Sequence, residues 1–210
     1  MKKLFIVLLF LVSAPLFAQL SYGVKGGITS SSEDWQFVPK FASSGTVQNY
    51  DGLNIGIFGE YSGDKYIAVI AELNYRQKGA NIFFDYTGRD TSGTIVVPKN
   101  IQHRVSYLNI SLLGKAKYTI GFFTPYLLGG LKTDYQLSNK FDDVDLGFIA
   151  TESTSQIWGV VVGGGFEVKD LLPFVVLGEI RYEFDFNKQY VDDNFQFKMN
   201  TLEFRFGIKF

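Results

Sequence analysis

Charged side chains occupy every second position from Glu179 to Asp185, and the same spacing recurs at Glu203, Arg205 and Lys209. Two of them, Glu179 and Glu183, are of the residue type that serves as a general acid or a general base. An arginine stands between them, and a carboxylate beside a guanidinium is better explained as its counter-ion. We therefore predict no catalytic role for either glutamate.

His103 is the only histidine of the chain, and Ser106 is the nearest serine that follows it. A lipid hydrolase built on this pair would need both side chains on one accessible face, because the base must reach the nucleophile. A spacing of three residues along a strand places them on opposite faces. We expect His103 to be a solvated residue at a loop edge, and we predict that the chain is not an enzyme.

The sequence also lacks the motifs of metal, nucleotide and disulfide sites. The chain has no cysteine, which removes thiolate metal sites and disulfides. Asp142, Asp143 and Asp145 lack the central glycine and closing glutamate of a calcium loop. The glycines of residues 159–168 lack the Lys-Ser/Thr of a nucleotide loop. We predict no cofactor and no metal, and the net charge of −1 gives no reason to expect nucleic acid.

The elements that carry these residues read as strands. In residues 201–210 apolar and polar side chains alternate without interruption, which places the two kinds on opposite faces. Similar alternation or short apolar runs predict eight strands, at residues 20–30, 51–62, 65–79, 103–118, 124–136, 156–168, 175–186 and 201–210.

The links between these strands alternate in length. Short links are predicted near Gly63 and Asp64, near Gly121 and at residues 169–172. The other links are long, at residues 31–50, 80–102, 137–155 and 187–196. Tight turns at one end and long loops at the other are typical of an outer-membrane barrel. The fold predicted is all-β, an eight-stranded antiparallel up-and-down transmembrane barrel.

The direction of the apolar face separates this barrel from a soluble one, which would point its apolar residues inward. Aromatic residues make up 17% of the chain. Packing them inside, Tyr126 included, would overfill an eight-stranded interior, which only just holds side chains. We therefore predict that the apolar face meets lipid, and in the last strand this face comprises Leu202, Phe204, Phe206, Ile208 and Phe210.

The charged face must then line the interior, where isolated charges are very costly. Equal numbers of acids and bases predict a paired network that fills the bore, and a narrow ion or proton path is the alternative. The residues predicted to face inward are Lys25, Glu60, Glu72, Arg76, Lys115, Lys117, Glu167, Glu179, Arg181, Glu183, Asp185, Glu203, Arg205 and Lys209.

The N-terminus has the order of a secretory signal peptide. Lys2 and Lys3 precede an apolar run that is too short to span a membrane, and Ala18 offers a cleavage site. We predict a signal peptide at residues 1–18, a barrel domain at residues 19–210 and a location in the outer membrane.

Five segments of the chain read SYLNISLLGKAKY, TPYLLGGLKTDY, GVVVGGGFEVKD, VLGEIRYEFDF and TLEFRFGIKF. They resemble the outer-membrane β-barrel family common in Bacteroidota, often labelled porin-family or PorT-like. The resemblance covers essentially the whole mature chain and is most specific in residues 106–135 and 159–210. It implies an OmpA-like eight-stranded barrel whose terminal Phe210 helps the insertion machinery to recognise the last strand. The expected partners are outer-membrane lipids and that machinery, with an unknown protein at the extracellular loops. The expected role is structural or loop-mediated binding, and the alternatives are a narrow channel or an accessory barrel of a secretion system.

Overall fold

A computed structural model of the chain describes residues 20–37, 45–84, 88–89, 95–96, 99–141, 154–170, 172–187, 190–191 and 195–210. Eight long strands account for most of these residues. They are β1 (Leu20–Phe37), β2 (Gly45–Ser62), β3 (Ile67–Phe84), β4 (Lys99–Lys117), β5 (Phe123–Phe141), β6 (Gln156–Val168), β7 (Val175–Asp185) and β8 (Phe195–Lys209).

Each strand pairs antiparallel with the next along the chain, and β8 pairs with β1. This last ladder runs from Gly23 opposite Lys209 to Phe37 opposite Phe195. The sheet is therefore closed and has no free lateral edge along its shared length. The predicted eight-stranded antiparallel barrel is confirmed.

Most strands extend further than the sequence pattern predicts, mainly at the end with the long links. β1 continues to Phe37 and β2 begins at Gly45, so much of the predicted loop at residues 31–50 is strand. The predicted loops at residues 80–102, 137–155 and 187–196 are shortened in the same way. In these extensions polar residues occur on both faces, so the backbone ladder continues after the hydrophobic alternation has ended.

Two further short strand pairings are described at the end of the barrel that carries the long links. Gly88–Arg89 pairs with Ile95–Val96, and Tyr190–Val191 adds to the edge of β8. Among the residues described, no helix is long and apolar enough to cross a membrane.

Tight links close the opposite end, at residues 63–66, 118–122 and 169–174, where short turns were predicted. In the first, the Asp64 carboxylate accepts hydrogen bonds from the backbone N–H groups of Tyr66 (2.6 Å) and Ile67 (2.7 Å). In the second, Gly121 has φ of 60°, a left-handed conformation that glycine adopts without steric cost.

Apolar side chains cover the outside of the barrel. Phe206 is 67% exposed, and Phe204 and Phe210 are also exposed, while Leu202 and Ile208 are half-buried on the same outer face. Aromatic residues cluster near the tight turns, where Tyr66 stacks on Tyr118 at a centroid distance of 6.3 Å. This is the inverse of a soluble barrel, as the sequence predicts.

The outward placement of Tyr126 was wrong. Its side chain lies inside, 4% exposed, and its hydroxyl donates to Glu179 at 2.8 Å. Room for the ring comes from Gly165 on the neighbouring strand, because a Cβ there would lie 2.8 Å from the Tyr126 ring and hydroxyl. An eight-stranded interior is therefore not uniformly full, because a glycine on one strand leaves space for a ring from the next.

Candidate functional site: the ion-paired interior

The charged residues predicted to face inward all lie in the interior of the barrel. Thirteen are buried, and Lys117 lies at the rim with its side chain 8% exposed. They reach the interior because residues at every second position of a strand share one face. Their ion pairs divide into two groups, which we call the turn-side cluster and the loop-side cluster after the barrel ends they approach.

The turn-side cluster pairs three interior lysines with two glutamates, and Lys169 of the adjacent turn contacts Glu167 at 3.5 Å. Glu60 contacts Lys115 (2.9 Å), Lys117 (3.2 Å) and Lys209 (3.2 Å). Glu167 contacts Lys115 and, at 2.5 Å, Lys209. Each carboxylate is shared between cations of β4 and β8, so the cluster links these two strands to β2 and β6 at this end.

Glu72 stands at the centre of the middle part of the loop-side cluster. Its carboxylate accepts from both terminal nitrogens of Arg181 at 2.8 Å, from Lys25 at 2.9 Å and from Arg205 at 3.0 Å. Lys25 and Arg181 also contact Glu179, at 2.7 Å and 2.6 Å. Three cations from different strands thus depend on one buried glutamate.

The outer part of the loop-side cluster contains residues that the sequence reasoning missed. Lys78, Lys132 and Asp134 are all buried. Lys78 contacts Asp134 (3.1 Å) and Glu183 (3.0 Å). Arg76 contacts Asp134 at 2.6 Å and also pairs with Glu183. The signal that could have found Lys132 and Asp134 is their alternation with Leu131 and Tyr135 in a strand whose glycines obscured the pattern.

Three carboxylates in this region come close enough to bind a cation. Oxygens of Asp134, Glu183 and Asp185 lie within 4.8 Å of one another. The Lys132 ammonium contacts all three, at 2.9, 2.8 and 2.5 Å. Lys132 therefore takes the place that a metal ion would need, and the arrangement is an ion-pair cluster.

Glu179 and Glu183 lie in surroundings that leave neither ready for acid–base chemistry. Both are buried and each is held by more than one cation. A general base needs a free lone pair within reach of a substrate proton. The observed contacts are those of counter-ions.

His103 differs from the solvated residue that we expected. It is 1% exposed, and its Nε2 lies 2.8 Å from Asn139 Oδ1. The expectation was wrong because β4 begins at Lys99, so His103 is inside a strand and faces the interior. Ser106 faces outward, where it accepts a hydrogen bond from the Tyr75 hydroxyl at 3.1 Å. The two lie on opposite faces, and no serine–histidine pair forms between them.

Several predictions fall outside the described residues. They include the signal peptide at residues 1–18 and the acidic group of Asp142, Asp143 and Asp145.

A closed barrel with an apolar outer face and an ion-paired interior is the structure of a transmembrane β-barrel, because such a surface is stable only against hydrocarbon. A family model described as "Outer membrane protein beta-barrel domain" matches residues 17–191. The chain therefore belongs to this family, and it is an outer-membrane protein.

Three solved structures are similar to this chain. OprG of Pseudomonas aeruginosa is 13% identical, with a TM-score of 0.53 over 90% of this chain and 95% of OprG. Ail, the attachment invasion locus protein of Yersinia pestis, is 12% identical, with a TM-score of 0.44 over 91% of this chain and 99% of Ail. Neisserial surface protein A is 12% identical, with a TM-score of 0.47 over 90% of this chain and 95% of its own. Curated protein sequences gave no significant match.

Proposed function

We propose that the chain is a sealed, non-enzymatic anchor in the outer membrane that holds a binding platform outside the cell. The observation that carries this proposal is the filled interior. Buried ion pairs occupy the bore at two levels, and side chains as large as Arg76, Arg181 and Arg205 are fully buried inside it. A bore filled in this way supports the rigidity of the barrel and opposes the passage of solutes.

The platform would be the part of the barrel that rises beyond the apolar belt. β2 and β3 remain paired as far as Gly45 opposite Phe84, and β3 and β4 as far as Phe84 opposite Lys99. Along these extensions the outward side chains change from apolar to polar, as at Asp51, Gln77 and Lys140. Such residues suit water and a polar partner better than lipid.

Photo-crosslinking in intact cells tests the platform. A crosslinking residue at Asp51 or Lys140 should give a discrete adduct with an extracellular partner. The matched control positions, Ile57 and Leu73, are exposed on the apolar belt and should give no such adduct. Adducts that are the same at both sets of positions would contradict the platform.

Conductance in planar lipid bilayers tests the seal. The wild-type barrel should give no stepwise current, because its bore contains buried, mutually paired side chains. Regular conductance steps from the pure protein would contradict the seal and favour the channel alternative.

The Bacteroidota-type motifs of the sequence support a narrower version, in which the platform contacts a secretion machine. Co-purification from crosslinked outer membranes tests it. Recovery of secretion components with the wild type, and their loss when Asp51 and Lys140 are both changed to alanine, would support this version.

A further inference from the structure

Between the two ion clusters the interior contains a layer with no charge. Seven buried side chains contact one another there, and we call them the apolar layer: Phe58, Ile70, Leu113, Tyr126, Leu128, Val161 and Leu177. Ile70, Leu113 and Val161 are completely inaccessible to solvent. All lie on the inner face, so they are separate from the apolar belt that meets lipid.

The order of residues along the strands fixes the level of this layer. On β2, Phe58 lies two residues from Glu60 of the turn-side cluster. On β3, Ile70 lies two residues from Glu72 of the loop-side cluster. On β4, Leu113 follows Ser111 and precedes Lys115. In the described part of the chain, none of the ion pairs joins one cluster to the other.

Glycines on the neighbouring strands let the layer extend across the bore. A Cβ on Gly23 of β1 would lie 2.6 Å from the Phe58 ring, and one on Gly207 of β8 would lie 3.0 Å from Leu177 Cδ1. Gly165 of β6 makes the same kind of space for Tyr126. The large side chains therefore extend over strands that contribute no bulk of their own at this level.

Ammonium groups face the layer from both sides. Lys25 of the loop-side cluster lies 4.3 Å from the centroid of the Phe58 ring. Lys115 of the turn-side cluster lies 4.0 Å from the centroid of the Tyr126 ring. Both distances are those of cation–π contacts. Lys25 is paired with Glu72 and Glu179, so it adds no net charge on the loop side. The turn-side cluster has three interior lysines against two glutamates, so a path opened through the layer would carry a net positive charge on that side.

We propose that the apolar layer is the permeation barrier of the barrel, and that the path it closes is selective for anions. A hydrophobic constriction blocks ions because it excludes water, and basic side chains around a pore favour anions. The ion pairs on either side narrow the bore and hold the barrel rigid, and the layer between them is the part of the seal that excludes water. This inference rests on the proposed sealed state and assigns that state to specific residues.

The test compares two double variants in planar bilayers. Ile70→Ala with Leu113→Ala removes side-chain volume from the apolar layer. Val69→Ala with Leu112→Ala makes the same kind of change at the adjacent outward positions, which are 45% and 59% exposed. The inner variant should give regular conductance steps that the silent wild type lacks, since a widened constriction can fill with water. The outer variant should stay silent. In a potassium chloride gradient the current should reverse near the chloride potential.

The outcomes separate this inference from the proposed function. A wild type that conducts contradicts the sealed anchor. A silent wild type together with a silent inner variant, folded as judged by heat-modifiable migration, contradicts the apolar layer alone. A cation-selective current overturns the selectivity. If the inner double variant does not fold, the single variant Leu128→Ala replaces it, with Leu127→Ala as its outward control and the same expected results.

Discussion

The two faces of β8 carry neighbouring residues in opposite surroundings. Phe206 is 67% exposed on the outer surface, whereas Arg205 is 1% exposed and bonds to Glu72 and Asn74 inside. The outer face is specified by a general property, transfer from water to hydrocarbon, which many apolar side chains share. The inner face is specified by particular partners at particular distances. Substitutions should therefore be judged by apolarity outside and by the loss of partners inside.

The inner face should give the largest effect. Glu72→Ala leaves Lys25, Arg181 and Arg205 without their shared carboxylate, and removing one partner of a buried ion pair costs about 3–5 kcal/mol. Urea unfolding in lipid vesicles, followed by tryptophan fluorescence, measures this loss. The control is Leu73→Ile on the outer face, where an apolar exchange should cost less than about 1.5 kcal/mol. Equal losses would show that the interior pairs are not specific.

On the outer face, the corresponding change is a charge placed against lipid. Phe206→Arg should cost roughly 2–4 kcal/mol, because arginine near the midplane of the bilayer is unfavourable, and it should block membrane insertion. Heat-modifiable migration of outer-membrane fractions measures insertion. The reciprocal variant Arg205→Phe should insert more readily while disturbing the interior pairs. The reverse order of severity would mean that the two faces are assigned the wrong way round.

Two adjacent glycines on β5 allow the inner and outer faces to be compared by substitutions that introduce no charge. A Cβ on the inward Gly130 would overlap the Leu112 carbonyl oxygen and approach Leu113 Cα to 2.8 Å. On the outward Gly129 its nearest neighbour is the Val161 carbonyl oxygen at 3.5 Å. Gly130→Ala should therefore destabilise by about 1–3 kcal/mol through overpacking, and Gly129→Ala should be close to neutral. The urea midpoints of the two variants measure this difference, and equal midpoints would contradict the close approach of the β4 backbone to Gly130.

The smallest effect is expected at the tight turns, outside the membrane. Hydrogen bonds from the backbone N–H groups of Tyr66 and Ile67 lower the pKa of Asp64 below its ordinary value. The carboxylate therefore favours the folded state above the carboxyl's ordinary pKa, and this contribution disappears as the pH falls through the folded-state value. Asp64→Ala should slightly lower the urea midpoint at neutral pH, and the difference from wild type should shrink in acid. A difference that grows in acid would contradict this assignment.

The outer face could be predicted from the sequence more fully than the inner one. In β8 the alternation is uninterrupted, so period two gives the faces directly, and closure follows from the absence of hydrogen-bond partners in hydrocarbon. Periodicity fails in β5 and β6, where glycines interrupt the pattern and conceal Lys132 and Asp134. It also fails at the strand ends, because extensions that lie in water need no apolar face, and His103 was therefore misplaced.

The contents of the bore depend on which strands bring side chains to one level. The stagger of neighbouring strands sets this level, and local alternation does not encode it. Glu203 illustrates the point, since it contacts Arg76 at 3.0 Å from a distant part of the chain. The apolar layer was missed for the same reason. Its members are single inward residues on several strands, and only the closed barrel brings them together.

The orientation of the two faces can be measured directly, because the chain has no cysteine. Single cysteines at positions 201–208 of β8, labelled with a fluorophore in vesicles that contain brominated acyl chains, report contact with lipid. Strong quenching should occur at the even positions, which include Phe204 and Phe206, and weak quenching at the odd positions, which include Glu203 and Arg205. Strong quenching at the odd positions, or equal quenching at all positions, would contradict a barrel with lipid outside and ion pairs within.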